Sequence, residues 1–315
     1  MMIESYLKKD AYRVPKGWRT PGEMVRRQGL LIAAALWCGT VHAEPAVSLE
    51  FKYPEGRVIH EVTKKNNVTD AAGMRIVQFH QQEIERRVLS SEKNGVVLQL
   101  TYQRQLMTTE SPLGSMSFDS SVDKAPPEDL SFTVLGLLVG QSFTVLLDEN
   151  FQVSTVTGAE RIAQTLKESL PKDLPKDAVE KVMASFTTAA LKKLVSDKRQ
   201  VLPNKAVVPG DTWSNSVDMA LSSAGMMTTI SDYTLRSLEE DGARQVAVID
   251  YVIRAEMAPG NQLLSGFSVK GKGQTRFDVA LGMFIGSEVN IEMSGEIQGM
   301  PMNVSSNVTV TNQLH

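Results

Sequence analysis

The chain has 315 residues, of which 42% are hydrophobic, and a formal net charge of −3 at neutral pH. That length can bury a sizeable core, as one large β-rich domain or as two small ones. The sequence has no basic block that could neutralise phosphates, which argues against nucleic acid as a partner.

A segment with the three parts of a secretory signal begins at Met24. Two arginines follow closely, and residues 29–40 then form an apolar run. This run is too short to cross a bilayer, which takes about 20 helical residues. Val41 and Ala43 place small side chains where a signal peptidase cuts. We therefore expect a signal peptide over residues 24–43, cleaved after Ala43, and an exported protein in the periplasm or outside the cell.

Residues 1–23 are ordinary polar sequence and precede this signal. The expectation is that they are an upstream extension and that translation starts at Met24. The alternative is a cytosolic N-terminal arm followed by a buried helix.

The only cysteine, Cys38, lies inside the segment that cleavage would remove. The chain from Glu44 onward would then carry no disulfide and no cysteine-bound metal. Trp37, directly before Cys38, is too bulky for the small residue that a lipid-attachment motif has there, so lipidation is not expected. No segment after the signal approaches the length of a transmembrane helix.

Residues 44–315 are expected to form a single β-rich exported domain, because apolar and polar residues alternate along much of their length. The period of two is clear over residues 96–103, 274–279, 288–293 and 302–310. Antiparallel sheets with one solvated face have this pattern, whereas parallel sheets buried on both faces give continuous apolar runs.

Two dipeptides, Asn94-Gly95 and Asp241-Gly242, separate alternating runs. Both favour the positive φ angles of tight hairpin turns. They predict two β-hairpins.

An insert at about residues 158–199 changes to helical spacing. Ile162, Leu166 and Leu170 recur along one face and predict a first helix that ends before Pro171.

A second helix is predicted from Asp177, which can form a capping box with Glu180. Its apolar stripe consists of Val179, Val182, Met183, Phe186, Ala190 and Leu194. Such a stripe beside a polar face of mixed charge is typical of a helix that covers a sheet rather than one that binds a membrane.

These patterns predict an α+β fold: a mostly antiparallel sheet, curved or closed into a half-barrel, covered by the two inserted amphipathic helices. The stretches near Gly56 and Gly210, and the two hairpins, show a weak internal similarity. One interpretation is that the sheet consists of two similar halves. The other is that any two antiparallel segments share such features.

Several longer phrases follow one another in a characteristic order: "FDSS" at 118–121, "LGLLVGQSFTVLLDENFQVSTVTG" at 135–158, "PGDTW" at 209–213 and "GKGQTRFD" at 271–278. In this order of features the chain resembles an uncharacterised family of exported bacterial proteins, a domain of unknown function. The resemblance implies class and location but no activity. The plan is also similar, as architecture only, to periplasmic lipoprotein carriers of the LolA type, which hold acyl chains between sheet and helices.

The sequence offers few candidates for catalysis. Its histidines lack the spacing of a zinc site, and no Gly-x-Ser-x-Gly nucleophile turn occurs. Asp119, Asp148 and Asp278 stand at expected strand ends or turns, where an aspartate caps backbone N–H groups. A hydrolase that uses these carboxylates is the enzymatic alternative. We expect a non-enzymatic protein with no cofactor and no metal.

Two features suggest a binding surface. Trp213 opens a strand after the turn at Gly210 and would either contact a ligand or form a structural corner. Methionines crowd the second half of the chain, and their flexible thioethers suit irregular apolar shapes in cavities and in cores alike.

The functional hypothesis is that the protein binds or carries an apolar ligand, such as a lipid or acyl chain, or a lipidated envelope partner, between sheet and helices. The residues expected to contact it are the inward members of the stripe and strands together with the tryptophan: Val182, Met183, Phe186, Trp213, Phe277, Val279, Ile291 and Met293. The alternative is an envelope structural or interaction protein with a closed core and no ligand.

N-terminal sequencing of the protein purified from its native host tests the export signal. We expect the sequence Glu44-Pro45-Ala46, because a signal peptidase would cut after Ala43. A chain that begins at Met1 would show that no cleavage takes place.

Overall fold

The structure, a computed structural model, describes residues 46–123, 129–172, 174–196, 202–220, 226–257, 264–297 and 300–315. The predicted upstream extension, signal peptide and cleavage site lie outside the described residues. The described residues all belong to one unit, Glu44–His315.

Twelve strands and four helices occur within these ranges. The strands are β1 (Val58–Ala71), β2 (Met74–Glu92), β3 (Gly95–Ser111), β4 (Gly114–Asp119), β5 (Ser142–Leu147), β6 (Val153–Thr157), β7 (Thr212–Ala220), β8 (Met226–Asp241), β9 (Arg244–Met257), β10 (Leu264–Asp278), β11 (Met283–Ile297) and β12 (Met300–Leu314). The helices are α1 (Leu130–Leu138), α2 (Ala159–Ser169), α3 (Lys176–Ala184) and α4 (Thr188–Ser196).

The strands form one open antiparallel sheet, which confirms the predicted α+β fold with a curved sheet. Their spatial order is β6-β5-β3-β2-β1-β12-β11-β10-β9-β8-β7, and the short β4 pairs with β3. The chain winds outward from β1 to β6 and, after the helices, inward from β7 to β12. The first and last strands therefore meet in the middle of the sheet, from the pair Ile59–Leu314 to the pair Ala71–Met302.

Both predicted hairpins are confirmed. Glu92 pairs with Gly95 where β2 turns into β3, and Asp241 pairs with Arg244 where β8 turns into β9. The predicted alternation is present too, since residues 96–102 of β3 are alternately buried and half-exposed. We call the face with the buried residues the inner face and the opposite one the outer face.

Two hydrophobic cores cover the inner face, one in each half of the sheet. The first core joins β2, β3, β5 and β6 to the helices, and includes Leu98, Phe143, Ile162 and Leu166. The second core joins β8, β9 and β10 to the segment before β1, and includes Val47, Leu235, Ile249 and Phe277. Each half of the sheet is thus covered by a different part of the chain.

The helical insert agrees with the prediction in its first part and differs in its second. The first predicted helix is confirmed as α2, in which Ile162 and Leu166 are fully buried. The predicted second helix is divided into α3 and α4, with a break at residues 185–187. Among the described residues, no helix has the length and apolarity that a membrane span needs.

The predicted capping box of the second helix is wrong. Pro175 is the N-cap of α3 and makes no side-chain hydrogen bond, while Asp177 lies within the first helical turn. A carboxylate in the first turn still interacts favourably with the positive end of the helix dipole. Pro175 stands directly before the first helical residue, and its fixed φ is compatible with the start of a helix.

Helix α1 is not predicted by the sequence periodicity. Its residues, LSFTVLGLL, are apolar on nearly every side, so no stripe marks one face. Asp129 caps this helix by accepting hydrogen bonds from the backbone N–H groups of Ser131 at 2.8 Å and Phe132 at 3.3 Å. A capping aspartate before an apolar run is the signal that could have identified it.

Bulges and a glycine allow the sheet to curve. Register shifts interrupt the β2–β3, β8–β9 and β10–β11 ladders, and an extra residue in one strand bends it. Gly273 in β10 pairs with Tyr251 in β9. A Cβ at position 273 would lie 2.5 Å from Cζ of Tyr251 and 2.5 Å from the carbonyl oxygen of Glu288. The tyrosine ring therefore covers a position that only glycine fits.

Gly273→Ala tests this close contact. We expect the free energy of unfolding to fall by about 1–3 kcal/mol, because the new methyl group overlaps both a ring and a backbone carbonyl. Urea denaturation measures the change. The matched control is Gly286→Ala on the neighbouring strand, where a Cβ meets nothing nearer than the carbonyl oxygen of Val310 at 3.8 Å. Equal losses in the two variants would contradict the proposed crowding.

Candidate functional site

A cavity of about 270 Å³ lies on the inner face, where the two cores adjoin. We call it the central cavity. Its apolar walls come from both halves of the sheet: Ile84, Leu98, Leu100, Tyr102 and Phe143 on one side, and Tyr233, Tyr251, Ile253, Phe284 and Val310 on the other. Helix α4 contributes Val195. The central cavity is thus formed jointly by the two halves of the chain.

The segment before β1 supplies two further aromatic side chains to the wall. Phe51 packs edge-on against Phe284, with ring centroids 5.4 Å apart, and belongs with the second core. Tyr53 contacts Phe151 at 5.6 Å and packs against the first core. Both rings line the central cavity, so this segment links the two cores across it.

A row of aromatic rings crosses the second half of the inner face. Trp213 on β7 stacks on Tyr233 of β8 at 5.7 Å, and Tyr233 contacts Tyr251 of β9 at 5.6 Å. Burial raises the pKa of Tyr233 and of Tyr251, and it raises the pKa of Tyr102, on the opposite wall, to about 12. Desolvation disfavours the phenolate, so all three hydroxyl groups are neutral at physiological pH.

A polar cluster interrupts these apolar walls on three adjacent strands, β2, β1 and β12. Glu61 is only 2% exposed and forms a salt bridge with Nη2 of Arg86. Asn312 is the register partner of Glu61 on the other side, and its Nδ2 donates to the carbonyl oxygen of Phe284 at 2.9 Å. We call Glu61, Arg86 and Asn312 the polar cluster. The remaining polar residues of the lining are Gln82, Ser231, Thr275 and Ser287.

Two buried polar atoms of the polar cluster are available to form further hydrogen bonds. Within the described ranges, neither Nε of Arg86 nor Oδ1 of Asn312 has a hydrogen-bond partner. One atom is a donor and the other an acceptor. A cavity with apolar walls and a few convergent polar groups is the usual form of a small-molecule site.

The structure places the eight predicted site residues in three regions. Val182, Met183 and Phe186 pack against the first core, Phe277 belongs to the second core, and Trp213 and Val279 pack against the second core. Ile291 and Met293 are half-buried on the inner face of β11. In the described part of the chain, the lining of the central cavity includes none of the eight.

Alternation identifies the inner face but not the level along the strands at which the cavity lies. On β11 the cavity is lined by Gly286 and Ser287, and Ser287 lies four residues before Ile291 and six before Met293. The missed signal is a charge in an inward register: Glu61 stands two residues after Ile59. Arg86 stands likewise two residues after the buried Ile84.

The aspartates considered for hydrolysis each hold a turn. Asp148 accepts hydrogen bonds from the backbone N–H groups of Asn150 at 2.9 Å and Gln152 at 2.8 Å. The fully buried Asp278 accepts one from the N–H of Leu281 at 2.8 Å. These carboxylates lie at the ends of β5 and β10 and serve as backbone caps.

Asp119, at the end of β4, is held by a cation. Arg104 donates from Nε to Oδ1 at 3.0 Å, and Ser121 donates from its backbone N–H at 2.9 Å and its hydroxyl at 2.7 Å. The hydrogen bonds from Arg104 are the main cause that lowers the pKa of Asp119 well below its ordinary value. The ionised carboxylate therefore stabilises the folded chain.

A wider and more open groove of about 530 Å³ crosses the outer face of β8 to β11. Its side chains are mostly polar and include Asp232, Asp250, Lys272, Gln274, Glu288 and Asn290. Several of them already pair with neighbours, as Gln274 does with Asp250 at 2.8 Å. Within the described ranges, no group of three or more His, Cys, Asp or Glu residues is placed to hold a metal ion. The central cavity is therefore the candidate site.

Comparison with known proteins identifies a family. The model of a family of unknown function (DUF6263) matches residues 93–314, a stretch that runs from the β2–β3 turn to the end of β12. No curated protein matches the chain.

Solved structures give only distant similarities. A lipovitellin structure that concerns lipid–protein interactions is 7% identical over 84% of this chain, with a TM-score of 0.46, and the chain spans 26% of that protein. A presumed lipoprotein from Parabacteroides distasonis is 10% identical, over 86% of this chain and 100% of that one, with a TM-score of 0.28. An outer membrane channel from Pseudomonas putida is 10% identical, over 84% and 98%, with a TM-score of 0.29. Such scores carry no functional argument.

Asp119→Asn tests the ion pair with Arg104. We expect the variant to be less stable at neutral pH by about 1–2 kcal/mol, since a charge-assisted hydrogen bond at a partly exposed site is lost. The pKa of Asp119 in the folded state lies below its ordinary value of 3.8. The extra stability of the wild-type protein over the variant is therefore fully present above pH 3.8 and is lost as the pH falls further. Thermal unfolding of both proteins between pH 7 and pH 2 measures this. A gap that stays constant over this range would contradict the assignment.

Proposed function

The chain belongs to a family of unknown function, DUF6263, and we propose from its central cavity that it binds the apolar part of a lipid or a similar amphiphile. The observation that carries the proposal is one space bounded by both halves of the sheet, with largely apolar walls that the polar cluster interrupts. The ligand would lie with its chain against the aromatic and aliphatic walls. Its polar end would lie at Arg86, Glu61 and Asn312.

The volume of the central cavity supports a ligand rather than a packing defect. Protein interiors are packed like organic crystals, with few voids larger than a water molecule. The volume of about 270 Å³ is many times the ~10–15 Å³ that a cavity needs, by the same kind of measure, to hold one water. It lies just below the range of about 300–1,000 Å³ found for small-molecule sites. A single acyl chain or a flat ring system is the size of group that fits.

The chemistry of the walls supports the same class of ligand. Each methylene group moved from water to such a wall contributes about 0.8 kcal/mol to binding. Rigid aromatic side chains such as Phe51, Tyr102 and Phe143 provide large contact areas at little cost in side-chain entropy. These rings favour a ligand with a long apolar part over a polar metabolite.

The compartment and the absence of catalysis are parts of the proposal. The signal-like residues 24–43 support export, which would bring the protein close to envelope lipids. Asp119 is held in an ion pair, and Asp148 and Asp278 accept hydrogen bonds from backbone N–H groups of turns. These structural roles support a binding function rather than an enzymatic one. The architectural similarity to LolA-type carriers stays a prediction.

The second candidate function is a structural or interaction protein with a closed core. It is favoured by the stripe on α3, because Val182 and Met183 pack against the first core and leave the predicted space under that helix filled. The two candidates differ in whether the central cavity binds an apolar molecule.

Val310→Trp tests the proposal by filling the central cavity, which Val310 lines on β12. We expect the wild-type protein to bind Nile red, an uncharged dye that fluoresces in apolar sites, and the variant to bind it at least tenfold more weakly. Fluorescence titration measures both affinities. Thr311→Trp is the matched control, because Thr311 is the next residue of the same strand and is exposed.

Saturable binding that only Val310→Trp weakens would support the ligand site. If the wild-type protein binds no dye, the closed-core alternative stands. If both tryptophan variants weaken binding equally, the dye binds elsewhere and the central cavity is not its site.

A further inference from the structure

The polar cluster carries no net charge. Glu61 is almost fully buried and its salt bridge to Arg86 pairs one negative with one positive group. Three tyrosines on the cavity walls, Tyr102, Tyr233 and Tyr251, are neutral because burial raises the pKa of each of these three. Among the described residues of the lining, an ionised group entering the central cavity would therefore find no opposite charge other than those of the Glu61–Arg86 ion pair. Burying a charge without a partner is costly, so the cavity disfavours ionised head groups of either sign.

The hydrogen bonds already made within the cluster define what it lacks. Arg86 uses Nη2 for Glu61, and its buried Nε–H remains available as a donor. Nδ2 of Asn312 donates to the carbonyl oxygen of Phe284, and this hydrogen bond fixes the orientation of the amide. Oδ1 of the same amide therefore remains available as an acceptor. The two atoms lie on the strands at either side of Glu61.

We propose that the polar cluster selects uncharged amphiphiles whose head group carries hydroxyl groups, such as a monoacylglycerol, an inference that rests on the proposed function. A hydroxyl group can accept from Nε–H of Arg86 and donate to Oδ1 of Asn312. A carboxylate has only acceptors, so it cannot donate a hydrogen bond to Oδ1 of Asn312. Its negative charge would also lie near the negative charge of Glu61. A trimethylammonium group has neither a donor nor an acceptor, so it leaves both Nε–H of Arg86 and Oδ1 of Asn312 without a partner.

Competition at constant chain length tests the selection. Nile red bound to the full wild-type protein is displaced with 1-monolauroylglycerol, with laurate and with dodecyltrimethylammonium, at pH 8 and below their aggregation concentrations. All three carry a twelve-carbon chain, so wall contacts are matched and the head group is the variable. We expect the glycerol ester to bind at least tenfold more tightly than either ion.

Glu61→Gln tests which residue discriminates. Glutamine can still accept a hydrogen bond from Arg86 but removes the negative charge, so the arginine becomes an unpaired cation. We expect the ratio of the laurate affinity to the monolauroylglycerol affinity to rise at least tenfold relative to the wild-type protein. Glu292→Gln is the matched control, because it makes the same change at an exposed position of the outer face and should leave the order of affinities unchanged.

The outcomes separate the inference from the proposed function. If no probe displaces the dye and the dye itself does not bind, the proposed function fails. If the probes bind but laurate equals or exceeds the glycerol ester, the selection by head group is overturned while the binding function stands. If Glu61→Gln folds and leaves the preference unchanged, the assignment to the polar cluster is overturned. If it does not fold, the wild-type comparison alone decides.

Discussion

The pairing of β1 with β12 is the interaction on which the rest of the structure depends. These strands come from opposite ends of the described chain and join along thirteen register pairs. The entropic cost of closing so long a loop rises only slowly with its length, and an antiparallel ladder satisfies the backbone of both strands. Without this ladder each half of the sheet would expose an unpaired edge. Glu61 would also lose its neighbour Asn312.

The central cavity follows from how the two halves are covered. The helices cover the first half, and the segment before β1 covers the second. Neither cover fills the space where the cores adjoin. Large rings bound this space, including Phe51 and Tyr53 from the covering segment. The Gly273–Tyr251 contact, which lets the tyrosine lie flat on the strand beneath it, helps to form the opposite wall.

We attribute the Glu61–Arg86 ion pair to the proposed binding role rather than to stability. Replacing such a pair with well-packed apolar side chains is often neutral or stabilising, because desolvation of two charges offsets their attraction. Glu61 and Arg86 nevertheless occupy inward positions that an apolar core would fill with aliphatic residues. Together with Asn312 they place a polar group of residues in a largely apolar lining, and under the proposed function they would orient a bound amphiphile.

The sequence by itself determined the fold class, both hairpins, helix α2 and the inner face of strands such as β3 and β11. These depend on local periods and turn residues, which each segment carries on its own. Helix α1, apolar all round, and the division between α3 and α4 needed the tertiary structure, as did the strand order. The site needed it most, because Arg86, Glu61 and Asn312 come together only through the β2–β1–β12 register. The alternation of apolar and polar residues predicts the face of the sheet on which a side chain lies. The position of the cavity along the strands depends instead on packing between distant parts of the chain.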